Sequence, residues 1–149
     1  MTDTKETVST LNSLIETCED GAKGFGTAAE HVDDGSIKSL FDTYGGERDR
    51  FAQELRKEVG RLGGEPEESG SMAGAIHRGW VDLKSAVTGR SVSAIVAEAE
   101  RGEDVAVEAY EKAMQAELPA GVRSVVQRQF THVKAAHDRV RDLKKTYSK

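Results

Sequence analysis

The sequence predicts an all-α fold, four long helices packed in one bundle, and three observations carry that prediction. Apolar residues recur at alternating spacings of three and four along four stretches of the chain, the mark of helices that each bury one face. Aromatic residues make up only 5% of the chain and charged residues 32%, which suits a bundle with a charged exterior better than a β-rich fold. The two prolines fall in "GGEPEESGS" and "LPAG", between the stretches and not inside them.

In the first stretch Val8, Leu11, Ile15, Cys18, Ala22, Phe25, Ala29 and Val32 share a face, and "DDGS" at 33–36 ends it. The second carries Ile37, Phe41, Tyr44, Phe51, Leu55, Val59 and Leu62 and stops at "GGEPEESGS", a loop by its glycine, proline and charge. So short a turn between the first two makes them an antiparallel hairpin. The third is "VSAIVAEAERGEDVAVEAYEKAM", residues 92–114, with Val92, Val96, Ala99, Ala106, Tyr110 and Ala113 on its seam. The fourth follows "LPAG" and aligns Val122, Val126, Val133, Ala136, Val140, Leu143 and Tyr147.

Between the second and third stretches lies a long connection, residues 63–91. A shorter amphipathic helix is expected over 72–87, where Met72, Ile76, Gly79, Trp80, Leu83 and Val87 share a face and Trp80 anchors it to the bundle. So long a link is unusual between adjacent antiparallel helices. It is what a chain needs to travel back along a bundle roughly 40 Å long. Hairpin, crossover, hairpin is, among helical bundles, the ferritin-like connectivity. One ferritin-like four-helix-bundle domain over 1–149 is therefore expected, with a helix in its crossover between helices two and three.

Polar residues interrupt three of the seams. The second helix has Arg48 between Tyr44 and Phe51, the third has Glu103 between Ala99 and Ala106, and the fourth has Gln129 between Val126 and Val133, with His132 one step off. Each lies near the middle of its helix, so Arg48, Glu103 and Gln129 are expected to form one central polar layer. The first helix offers only Cys18 at that height, because Glu16, Glu19 and Asp20 point away from the seam by the heptad count. A buried thiol is usually inert. His77 lies close to the face that carries Trp80, and His31 and His137 flank apolar seams as partly exposed helix residues. Glycine is heavy for a helical chain: Gly21, Gly24, Gly26, Gly45, Gly46 and Gly102 each cost up to about 1 kcal/mol relative to alanine. Close helix approach would offset that cost. A bulge or kink beside Arg48 at "YGGERDR" is the sharper expectation.

The net charge of −5 and pI near 5.4 give no reason to approach nucleic acid or an anionic membrane. The one basic stretch, Lys134 to Lys149, has Asp138 and Asp142 interleaved and reads as a solvated helix C-terminus. No apolar run approaches the roughly 20 residues of a membrane helix. The single cysteine forms no internal disulfide, and "MTDTKETVST" has no apolar signal core, so a cytoplasmic protein is expected. No nucleophile with its base, phosphate-binding loop or paired Cys motif is present.

"LNSLIETCEDGAKGF", "FAQELRKEVGRLGGEPEESGSMAGAIHRGWVDLKSAVTG" and "EAERGEDVAVEAYEKAM" resemble a family of uncharacterised bacterial four-helix-bundle proteins, placed in the ferritin-like superfamily as a domain of unknown function. The likeness covers roughly residues 7–145 and implies the ferritin-like fold while leaving activity open. Di-iron members of that superfamily need a glutamate from each of two helices and a Glu-x-x-His from each of the other two. The match here is partial. Glu47 is followed three residues on by Arg50, Glu100 and Glu103 stand at glutamate-bearing positions, and Gln129 with His132 reads as Glu-x-x-His without its anion. A guanidinium at Arg48 is hostile to two metal cations but is a good bidentate partner for a lone Glu103.

The expectation is therefore a non-catalytic, metal-free bundle without cofactor, self-associating as a homodimer, with a stress-related role implied by the resemblance. The homodimer rests on Ala73, Ala75, Val81 and Ala86, which widen the apolar face of the 72–87 helix beyond one stripe. The alternative is an iron- or manganese-binding protein with oxidase-type activity that uses Glu47, Glu100, Glu103 and His132.

Overall fold

The computed structural model describes residues 4–66 and 91–147, and these contain four α-helices and no strand. They are α1 (Thr4–His31), α2 (Gly35–Arg61), α3 (Val92–Gln115) and α4 (Ala120–Tyr147). The expected helix over 72–87, with His77 and Trp80, lies outside the described residues.

Each boundary has a local cause. Asp34 caps α2: its Oδ1 accepts hydrogen bonds from the Ser36 and Ile37 amides at 2.9 and 3.1 Å. Lys38 Nζ donates to the Ala29 carbonyl at 2.9 Å, meeting an acceptor that the end of α1 leaves open. At the other end of α2 the chain turns through Gly63, whose φ of +79° lies in the left-handed region. The Gly64 amide then bonds the Val59 carbonyl and the Gly63 amide the Gly60 carbonyl, both at 3.0 Å, which closes a Schellman motif. Ser91 caps α3 through a 3.2 Å bond from the Ala94 amide, and Arg123 reaches back to the Met114 carbonyl at its far end. Between Gly45 and Arg50 α2 remains α-helical, so the bulge expected at "YGGERDR" does not form. Gly45 serves close approach instead, since a Cβ there would stand 3.4 Å from the Ala22 carbonyl of α1.

The helices pack in a ring, α1 against α2, α2 against α4, α4 against α3 and α3 against α1. The diagonal pairs, α1 with α4 and α2 with α3, make no close backbone approach. Glu19 of α1 pairs with Arg56 of α2, while Asn12 bonds the Glu65 carbonyl, so the first pair is antiparallel. Lys144 with Glu100 and His137 with Asp104 set the same sense for α3 and α4.

The apolar core falls into two clusters. One gathers Leu11, Leu14, Ile15 and Cys18 with Phe51, Leu55, Tyr110 and Val126. The other gathers Phe25, Ala28, Phe41, Ile95, Ala99 and Val140. They meet at Arg48 and Glu103, which lie between them along α2 and α3. The last described residues of the α2 end pack beside Val8, whereas Val92 packs in the second cluster, so Pro66 and Ser91 stand at opposite ends of the bundle.

Candidate functional site

Arg48 and Glu103 are 1% and 0% exposed, and they join α2 to the diagonally opposite α3. Arg48 Nη1 donates to Glu103 Oε1 and Nη2 to Oε2, each at 2.6 Å, a fork-to-fork pair that uses both carboxylate oxygens. The guanidinium carbon also stands 5.6 Å from the centroid of the Phe25 ring, within cation–π range. Burial works against the guanidinium charge, but the Glu103 carboxylate more than offsets it and the group is held more firmly protonated than a free arginine. Arg48 Nε is buried and finds no acceptor among the described residues.

Gly21 of α1 makes the room. A Cβ on it would stand 3.2 Å from Arg48 Nη1 and 3.3 Å from its Cγ, tighter than a side chain pinned at both ends tolerates without shifting. By spacing alone Ala22 falls on the seam. Ala22 is only half-buried, and the glycine beside it is the buried residue.

Gln129, fully buried, does not join the ion pair. Its Oε1 accepts the Tyr110 hydroxyl at 2.7 Å, and its Nε2 donates to Glu54 Oε1 at 2.7 Å and toward the Phe51 carbonyl at 3.4 Å. The Tyr110 oxygen in turn lies 3.1 Å from Cys18 Sγ. Because the tyrosine has one hydrogen and gives it to Gln129, the thiol is the donor in that contact. Glu54 is also paired with Arg128 at the surface. The result is a hydrogen-bond chain, all donating outward from Cys18 to Gln129, that ends on a carboxylate. In place of the single layer expected from Arg48, Glu103 and Gln129 there are two adjacent polar groups, an ion pair and this chain. Burial pushes the Cys18 thiol up to about 11, so it is inert at neutral pH. Burial likewise holds the Tyr110 hydroxyl protonated. The Arg128 hydrogen bond keeps the Glu54 carboxyl below the usual range.

The four residues of the metal reading are not gathered. Glu103 is taken by Arg48, and Glu100 accepts from Lys144 Nζ at 2.8 Å. His132 is 54% exposed, with Nδ1 3.8 Å from Glu47 Oε2. Among the described residues no three His, Cys, Asp or Glu side chains come together as a metal-holding group. A carboxylate-bridged metal pair needs anionic oxygens free to coordinate and no cation between them, and Arg48 breaks both conditions, so these residues do not fit that group.

Among the described residues no helix is long and apolar enough to cross a membrane. No curated protein matches the chain. One family model, Domain of unknown function (DUF2383), matches residues 6–116, a span that takes in α1, α2 and α3 with Cys18, Arg48, Glu103 and Tyr110, and stops short of Gln129 and His132.

Proposed function

The chain belongs to that family, and on that premise we propose that it is a non-catalytic, ferritin-like helical bundle of one domain that self-associates and carries a buried ion pair in place of a metal centre. The observation that carries the reading is the bidentate Arg48–Glu103 bond, which engages both oxygens of the fully buried Glu103 carboxylate at the heart of the bundle. The ferritin-like connectivity is supported by Pro66 and Ser91 standing at opposite ends of the bundle. A buried pair of this kind contributes little net stability and is retained where it fixes register: a slip of α2 past α3 by one turn would bury each charge alone. The stress-related role rests on the family resemblance alone.

The iron- or manganese-binding alternative has one contact in its favour, the approach of His132 to Glu47 across α2 and α4. Two ligands fall short of a transition-metal site. Metal analysis of protein purified without chelator, followed by aerobic oxidation of added ferrous iron, separates the two readings. The expected result is no stoichiometric metal, no oxidation above buffer, and a denaturation midpoint unmoved by iron or manganese. Stoichiometric metal that disappears in Glu103→Gln would establish the alternative.

A further inference from the structure

We propose that the groove between α2 and α4 is a binding site for a short, extended polyanion of phosphate chemistry, such as an inorganic polyphosphate chain. These two helices approach closely over only a short stretch, unlike the other neighbouring pairs of the ring. A groove of about 540 Å³ opens between them, within the range of small-molecule sites. Phe51 and Val125 give it an apolar base.

Its walls are cationic. Arg50, Lys57 and Arg61 come from α2 and Arg128 from α4, against Glu54 and Glu58, so four positive charges less two negative leave +2 in a chain whose net charge is −5. The two carboxylates are already matched, Glu54 by Arg128 and Glu58 by Arg61. Arg50 and Lys57 are exposed on the groove and make no hydrogen bond or close ion pair among the described residues; Lys57 also helps hold the neighbouring Glu54 carboxyl ionised, so the groove's excess positive charge rests chiefly on these two. Lys57 stands seven positions after Arg50 and Arg61 four further on, which sets the cations in a row roughly 16 Å long on one side of α2. A row of that length matches several linked charges better than one ion, and a low-dielectric base focuses its field. Guanidinium forks favour phosphate oxygens through paired hydrogen bonds.

Titration calorimetry of the full chain with sodium tripolyphosphate tests this. Saturable binding is expected at low salt, weakening as ionic strength rises toward about 0.5 M. Arg50→Glu with Lys57→Glu should lose at least about tenfold in affinity, the loss of one or two charge-assisted hydrogen bonds. Arg50→Gln with Lys57→Gln, which adds no repulsion, should lose affinity in the same direction. Lys134→Glu with Lys145→Glu, an equal charge change on exposed positions further along α4, should bind as wild type does. Thermal melts confirm that each variant folds. The proposal is overturned by the absence of saturable binding, by equal loss in the Lys134/Lys145 control, or by orthophosphate binding as tightly as tripolyphosphate.

Discussion

At the scale of single residues, Glu103 has one role in this structure, to meet the charge of Arg48. Glu103→Ala leaves a guanidinium buried without its counter-charge and should cost on the order of 3–5 kcal/mol. Arg48→Met with Glu103→Leu removes both charges at similar volume and should cost less than the sum of the single changes, with neutrality or a gain as the expected extreme. Urea melts of the two single variants and the double variant measure the coupling, and additive costs would refute it. Arg48, Glu103 and Gln129 could be read from the sequence as buried because each is polar in an otherwise apolar register. Tyr110 could not be read in full. Its ring counts toward the apolar seam, and nothing in the spacing discloses that its hydroxyl is the junction between Cys18 and Gln129. Gly21 stands out in the sequence as a costly helical glycine that calls for close approach, but a periodicity does not disclose that what approaches it is Arg48, 27 positions away.

At the scale of helices, α3 and α4 are held by polar contacts as well as by their seams. His137 of α4 stands 2.7 Å from Asp104 of α3 through Nε2 and 3.2 Å from Asp138 through Nδ1. Partial burial pulls its pKa down, the two carboxylate hydrogen bonds pull harder the other way, and the net shift is upward. A folded-state value raised above the unfolded one, near 6.5, gives stability that is complete below that pH and is lost as pH rises through the folded value. The stability gap between wild type and His137→Gln, measured by urea melts, should therefore shrink from about pH 6 to about pH 8. A gap constant across that range would refute the assignment. Helix existence and extent were legible because the spacings of three and four continue through the polar residues that interrupt three of the seams, and the α2 N-terminus moved only from Ile37 to Gly35 once the Asp34 cap is counted. The bulge expected near Arg48 had no such basis. Two adjacent glycines lower helix propensity, but packing of α2 on α1 along its whole length holds the helix through them.

At the scale of the molecule, the ring of four helices and its antiparallel hairpins follow from short turns and long amphipathic stretches, which local sequence encodes directly. How the polar groups would sort was not encoded in that way. Which buried group meets which depends on side-chain reach across the bundle, and Gln129 reaches Tyr110 and Glu54 while Arg48 reaches α3. Self-association predicts a particle of twice the monomer mass in light scattering at tens of micromolar, on the order of what a modest apolar face sustains. The monomer mass at every dilution would rule it out.

The diagonal course of the Arg48–Glu103 bond also bears on the order of events in folding. Its ends lie 55 residues apart, one in each hairpin, on helices that otherwise do not approach. Either hairpin can assemble from local contacts with its charge still hydrated, and the bond closes only when the two hairpins dock and expel water from between them. A contact formed that late contributes little to the rate-limiting barrier. Glu103→Ala should then leave the folding limb of a chevron plot nearly in place and accelerate unfolding, with a φ-value near zero. A folding limb that slows by most of the lost stability would mean that the charges meet before the hairpins are complete.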